Sequence, residues 1–231
     1  MEQAITRTKR SAAVTAIVAL AGLAQGTAMA AGGHFAVDDA VLLEPGHCGP
    51  ETWWTHGQGS QDLLHGGMNC RVGPVELGGA VEHARGPDGS ETERNLEIKW
   101  ARQVAERLSV GVDLQPTWQP HTQPRPDATR AVLLATWRLR EELALHLNLG
   151  RDFVPGGPDL ARHGVALEWQ PAKAWTVIAD RYLDQGTNFL RTGVRWIGGD
   201  AWSVDLSRAQ RLSGPSASNW TLGFNYDFRA D

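Results

Sequence analysis

The feature that most constrains this chain is an alternation of apolar and polar residues that runs from residue 50 almost to the end. In residues 220–228 five bulky apolar or aromatic residues alternate with Thr, Gly, Asn and Asp. Residues 143–149 place Leu at every second position, and residues 108–114 alternate Leu and Val with Ser, Gly and Asp. A period of two residues is typical of a β-strand with one apolar and one polar face. The chain is therefore predicted to be all-β.

Twelve such segments are separated by turn-forming Gly, Pro and Asp residues. They fit either a soluble sandwich or barrel, whose apolar face points inward, or an outer-membrane barrel, whose apolar face meets lipid. Membrane-crossing strands need about 9–11 residues each. The chain can therefore close a single antiparallel transmembrane barrel of about twelve strands, without room for a separate periplasmic domain or a large plug. The predicted strands lie near residues 50–57, 61–71, 74–85, 91–104, 107–117, 128–140, 142–153, 161–170, 173–183, 187–197, 201–211 and 218–228.

The start of the chain predicts export. A basic beginning precedes an apolar run over residues 12–24, and residues 28–30 read Ala-Met-Ala, the small-residue pattern of a cleavage site. The run is shorter than the roughly 20 residues of a membrane-spanning helix. We therefore expect a cleaved signal peptide over 1–30, an N-terminal periplasmic segment over 31–49 and an outer-membrane barrel over 50–231.

The positions of Trp favour the membrane barrel. Connections after even-numbered predicted strands are short and those after odd-numbered strands tend to be longer, as in outer-membrane barrels with short periplasmic turns. Six of the ten Trp fall at the short-turn ends of these strands. An indole suits the bilayer interface, because its body is apolar while its N–H seeks water. The predicted periplasmic aromatic girdle comprises Trp100, Trp137, Trp169, Trp175, Trp196 and Trp202.

The alternating strands and the terminal run Leu222-Gly223-Phe224-Asn225-Tyr226-Asp227-Phe228 resemble those of small proteobacterial outer-membrane β-barrel proteins. The resemblance covers residues 50–231 and implies a channel-like or transporter-like barrel. It also implies outer-membrane lipid and the outer-membrane assembly machinery as partners. In that family the last strand usually ends the chain on an aromatic residue, whereas here Arg229-Ala230-Asp231 follow Phe228. That departure from the family pattern affects the expected strength of the C-terminal assembly signal and leaves the prediction of the last strand unchanged.

The polar faces of the strands carry charges that a narrow barrel would hold in its lumen. Opposed rows of charge would select ions and orient a solute, whereas paired charges would neutralise each other and fill the lumen. We expect a narrow pore or small-solute transport protein with a charged lumen. A structural or ligand-binding barrel with a closed, salt-bridged lumen and a soluble periplasmic β-sandwich or barrel stay as alternatives. The predicted lumen charges are Glu76, Glu97, Lys99, Asp113, Arg138, Glu168, Arg191, Arg195 and Asp205.

The two cysteines, Cys48 and Cys70, lie at the same end of the first predicted hairpin. Exported proteins meet an oxidising compartment, so we expect a disulfide between them. Thiolate and imidazole groups here would also suit copper or zinc, but a dense metal-ligand spacing is missing, and we expect no metal.

The sequence offers no pattern for catalysis. It lacks a Gly-x-Ser-x-Gly nucleophile elbow, and no Ser lies in the predicted strand of His146. We expect neither an enzyme nor a cofactor. The formal net charge of −4 also argues against a nucleic-acid partner, because such proteins are usually basic.

Overall fold

The computed structural model describes residues 33–120 and 126–230, so the predicted signal peptide lies outside the described residues. Within these two stretches no helix is both long and apolar enough to cross a membrane. The described chain forms thirteen strands. They are β1 (His47–Gly57), β2 (Gln61–Val72), β3 (Val75–Gly86), β4 (Gly89–Ala105), β5 (Leu108–Trp118), β6 (Ala128–Arg140), β7 (Leu143–Phe153), β8 (Leu160–Ala172), β9 (Trp175–Asp184), β10 (Thr187–Ile197), β11 (Trp202–Ser213), β12 (Asn219–Tyr226) and β13 (Phe228–Arg229).

Strands adjacent in the chain pair antiparallel, and β12 pairs with β1, which closes a twelve-stranded barrel. The short β13 continues β12 beyond Asp227 and pairs with His47 and Cys48 of β1. The predicted single, closed antiparallel barrel is therefore confirmed. Each of β1 to β12 is therefore paired on both sides, and closure removes the long edges at which another chain could pair.

The two faces of the barrel are inverted relative to those of a soluble protein. Large apolar side chains lie on the outside, with Leu133 and Leu149 exposed by 61% and 64%. The interior holds mainly polar side chains, among them the fully buried Thr187, Ser203 and Asp205. Because successive residues of a strand face opposite sides, the alternation read from the sequence produces both surfaces directly.

The two rims of the barrel differ in their connections. At the turn rim, which holds the connections after the even-numbered strands, four are two-residue turns and residues 198–201 form the fifth. At the loop rim, the opposite end, the connections over 119–127 and 154–159 are long, as predicted. The prediction is wrong for β3/β4 and β9/β10, which two-residue turns connect. In the latter, Gln185 and Gly186 both have positive φ, 45° and 76°, a conformation that matches strand twist in tight hairpins.

The predicted disulfide is present. Cys48 and Cys70 are direct partners on β1 and β2, with an S–S distance of 2.03 Å. The bond fastens the first hairpin at the turn rim, next to the place where the chain enters the barrel.

Candidate functional site

Residues 33–46, which we call the N-terminal segment, enter the barrel: residues 33–43 are buried or half-buried in the lumen, and residues 44–46 are exposed. Near the turn rim, the Leu43 amide donates a hydrogen bond to the Glu76 carboxylate, and Arg71 donates to the Leu43 carbonyl at 2.7 Å. The sequence predicts an N-terminal periplasmic segment over 31–49 and leaves open whether it is an ordered, plug-like tail or loose. The described part enters the lumen, where its apolar side chains and its backbone groups find partners.

The middle of the segment is attached to β6 and β7. The Asp38 amide donates to the Asn148 side chain at 2.8 Å, and the Asn148 amide donates back to the Asp38 carbonyl at the same distance. The Ala40 amide donates to Thr136 Oγ1 at 2.8 Å. A segment without sheet partners thus satisfies backbone groups through side chains of the wall, as buried backbone requires.

An ion pair joins the segment to β4, two strands away from β6. The Lys99 ammonium on β4 lies 2.8 Å from Asp38 Oδ2 and 3.4 Å from Asp39 Oδ1. Lys99 is only 4% exposed, so this charge is held almost entirely by protein. Buried charges persist in proteins when they are paired, and here both acidic partners come from the segment.

An apolar contact fixes the bend of the segment. Val37 packs with Ala166, Tyr182, Phe189 and Ala209, which face inward from β8 to β11. Gly164 on β8 makes room for it, because a Cβ there would lie 2.5 Å from Val37 Cγ2. This cluster is one of two apolar anchors of the segment, and Ala40 packs with Val132 and Leu134 in the other.

The beginning of the described segment meets β10 and β11. His34 Nε2 lies 2.7 Å from Ser207 Oγ, and Arg191 donates a hydrogen bond to the His34 carbonyl. Burial, followed by the charges of Arg191 and Arg195, lowers the pKa of His34 far below its ordinary value. His34 is therefore neutral, and it contributes a hydrogen bond rather than a charge.

A buried ion pair with two hydrogen bonds lies in the wall beneath this end of the segment. Arg195 on β10 donates to both carboxylate oxygens of Asp205 on β11, at 2.6 and 2.9 Å. The two residues are direct cross-strand partners and are almost fully buried. Asn225 adds a hydrogen bond to Asp205 at 2.9 Å.

Beside the N-terminal segment the lumen retains a cavity of about 1800 Å³. Its lining extends from Arg107 in a turn of the turn rim to Arg162 near the loop rim. Most of its wall comes from β1 to β6, whereas the segment is packed mainly against β6 to β11. The segment therefore narrows the lumen from one side.

All nine predicted lumen charges lie on the inner face. Arg138 is at the turn rim, and seven of the nine line the large cavity, whereas Glu168 lies beside His146 with its carboxylate 3.5 Å away. They do not form opposed rows. Instead, pairs form between neighbouring strands or with the segment, and Asp113 contacts Arg130 on β6 at 3.4 Å.

Sequence reasoning missed Asp38, Asp39 and Arg130 as partners of lumen charges. A usable signal was present, because Phe35, Val37 and the run over 41–43 make the segment too apolar for a loose tail. Such a composition indicates burial.

The six Trp of the predicted girdle all lie on the outer face near the turn rim. Five are exposed by 39–53%, and Trp202 packs edge-on against Trp196 with ring centroids 5.0 Å apart. Their role as an interface with lipid stays a prediction.

The family described as "Uncharacterised conserved protein UCP029691" matches residues 19–228. The chain belongs to this family. No curated protein matches the chain.

Solved structures with the same barrel are porins. The KdgM porin is 11% identical, with a TM-score of 0.63, and the match covers 78% of this chain and 99% of that chain. The KdgM porin in complex with disordered oligogalacturonate gives a TM-score of 0.61 over the same shares at 11% identity. A NanC porin is 6% identical, with a TM-score of 0.57, and the match covers 78% and 98% of the two chains. At these identities the likeness establishes a porin-type barrel fold, which confirms the predicted architecture.

Proposed function

We propose that this protein is an integral outer-membrane barrel that forms a narrow, charged passage for small solutes. The outer surface supports the location. Leu, Val, Trp and Phe side chains are exposed around the wall, including Leu96, Leu133, Leu149 and Leu222 at 50–64%. Contiguous apolar surface of this extent is unfavourable in water and matches the apolar band of a transmembrane barrel.

The observation that carries the proposed passage is the 1800 Å³ cavity beside the N-terminal segment. Many charged and polar side chains line it beside apolar ones such as Leu43, Val132 and Leu134, so it is accessible to water and dissolved solutes. Charges that line a passage of this kind set which solutes enter it. The porins with the same fold support such a role, and the proposal includes no catalytic step.

A closed barrel is the second candidate, and a specific observation favours it. The N-terminal segment is bound at four places along the wall, and Lys99 is neutralised by its two aspartates. If the segment blocks the passage fully, the lumen does not conduct, and the side chains inside it only stabilise the barrel. Conductance separates the two candidates.

The test places a cysteine in the passage and another beside it on the outside. Gln115 on β5 lines the cavity, and the adjacent Leu114 is exposed on the outer wall. In planar lipid bilayers the purified protein should conduct. A charged methanethiosulfonate reagent should reduce the conductance of Gln115→Cys and leave that of Leu114→Cys unchanged, because only the first side chain lies in the ion path.

Both native cysteines are joined in the disulfide and do not compete for the reagent. Absence of conductance at every voltage would overturn the passage and favour the closed barrel. Equal inhibition of the two variants would show that the current does not follow the lumen.

A further inference from the structure

The inward side of β1 carries an aromatic residue that the proposed passage does not explain. All ten Trp lie in the described parts of the chain, and nine of them face outward. Trp53 alone faces the lumen and lines its cavity. It lies near mid-height of β1, away from both rims. An indole at this place is unrelated to a bilayer interface, so a different role is needed.

One face of Trp53 is covered by His65. The two residues are direct cross-strand partners on β1 and β2, and their rings stack with centroids 3.4 Å apart and planes 7° apart. Two carboxylates hold the imidazole: Glu82 Oε1 lies 2.9 Å from Nδ1, and Glu51 Oε1 lies 3.6 Å from Nε2. His65 is 4% exposed, so the stack has a fixed orientation.

Small residues flank this stack, and its members Trp53 and His65 line the cavity together with Glu51 and Glu82. We call this part of the cavity wall the recess. The partner of Trp53 on β12 is Gly223, so that strand places no side chain beside the indole, and the nearest group over this glycine is His34 of the N-terminal segment. The inward neighbours of His65 and Glu82 one step nearer the turn rim are Gly67 and Ala80, which are direct partners on β2 and β3. A Cβ at Gly67 would lie 2.9 Å from His65 Nε2, so this glycine accommodates the imidazole of the stack.

The charge of the recess is negative. The Glu51 and Glu82 carboxylates remain 19% and 28% exposed to the cavity, and His65 supplies at most one positive charge between them. Farther along the wall the cavity is lined by charges of both signs, among them Glu97, Lys99 and Arg130, so the negative charge is local to this recess. An anion would be repelled from this recess, and a neutral solute would gain nothing from its charge. An indole face attracts cations, and the attraction is strongest when the cation leaves water.

We propose that the recess formed where Glu51, Trp53, His65 and Glu82 line the cavity binds the ammonium group of a small organic cation against the accessible part of the Trp53 indole. The proposal deepens the proposed function, because it names the class of solute that the passage selects. It requires only that solution reaches the lumen. The site differs in charge from what an oligogalacturonate, the polyanion in complex with one KdgM porin, would need.

Binding is measured on the refolded full-length mature chain in detergent micelles by isothermal titration calorimetry. The probe is tetramethylammonium chloride, with galacturonate and glucose as the anionic and neutral comparisons. Tetramethylammonium should bind and the other two should not. Trp53→Leu should weaken its binding at least tenfold, and Glu51→Gln and Glu82→Gln should each weaken it severalfold. Trp54→Leu, on the outer side of the same strand, should bind as the unchanged protein does.

Each variant is first shown to be folded by its heat-modifiable mobility on gels. Unchanged tetramethylammonium affinity in folded Trp53→Leu would overturn the proposal, as would tighter binding of galacturonate or glucose. Calorimetry does not depend on conduction. A protein that binds the cation without conducting overturns the passage alone, whereas one that conducts without binding the cation overturns this site alone.

Discussion

The buried pair of Arg195 and Asp205 is the residue-scale feature with the clearest energetic consequence. Asp205→Asn removes the charge that neutralises Arg195 in a fully buried place. Loss of one partner of a buried ion pair costs about 3–5 kcal/mol of unfolding free energy. Urea unfolding in lipid vesicles, followed by gel mobility, should show a decrease of this size.

The matched control is an exposed pair at the turn rim. Arg140 and Glu142 lie 4.0 Å apart, with side chains 75% and 47% exposed. Glu142→Gln should lower the unfolding free energy by less than about 1 kcal/mol, because solvent screens exposed pairs. The double variant Arg195→Met with Asp205→Leu should recover part of the loss, since it leaves no charge unpaired. Equal effects of Asp205→Asn and Glu142→Gln would contradict this account.

At this scale the sequence predicts which side a residue faces better than which partner it finds. The period of two assigns Lys99 and Arg195 to the interior because parity along a strand is local. Partner choice depends on strand register and on the path of a distant segment. The cross-strand register pairs Arg195 with Asp205, whereas Lys99 binds Asp38 and Asp39, which are about 60 residues away in the chain.

At the scale of elements, the N-terminal segment determines the free cross-section of the barrel. Deleting residues 33–42 removes its contacts with Lys99, Thr136 and the apolar cluster around Val37. The single-channel conductance should rise at least about twofold, because conductance grows with the water-filled cross-section of a pore. Planar-bilayer recordings of the variant and the unchanged protein provide the measurement.

A length-preserving control replaces residues 33–42 with Gly and Ser. It keeps the chain ahead of β1 but loses the apolar contacts and the aspartates that hold the segment. We expect its conductance to exceed that of the unchanged protein and to fluctuate more than that of the deletion. If both variants conduct as the unchanged protein does, the segment does not narrow the passage.

The strands could be predicted from the sequence because each one carries its own alternation and turn signals. The path of residues 33–46 could not be predicted, because this segment has no regular sequence period. Its partners are side chains scattered over several strands. Asn148 and Thr136, for example, read as ordinary inward polar residues, although both bind the backbone of the segment. The limits predicted over 1–30 and 31–49 stay predictions where they concern cleavage and location.

At the scale of the whole molecule, closure of the barrel turns a repeated local pattern into two continuous surfaces. The pairing of β12 with β1 places every outward residue on one apolar wall. The sequence allows this wall to be predicted. The six Trp at the short-turn ends of the strands form one band only if the strands pair in chain order. The distinction between a soluble and a membrane barrel therefore depends on what covers the wall.

Lipid contact of this wall gives the last prediction. Nine of the ten Trp face outward, and the six of the predicted girdle lie near one rim. In vesicles of phospholipids brominated near the headgroup, most of the Trp emission should be quenched, because bromine quenches an indole only on contact. Bromine near the end of the acyl chains should quench less, since interfacial indoles lie close to the headgroups. Aqueous acrylamide should quench little in either case. The opposite result would be Trp emission that brominated lipid leaves unchanged and that acrylamide quenches. It would show that the outer wall is in contact with water and not with lipid, and it would overturn the membrane location.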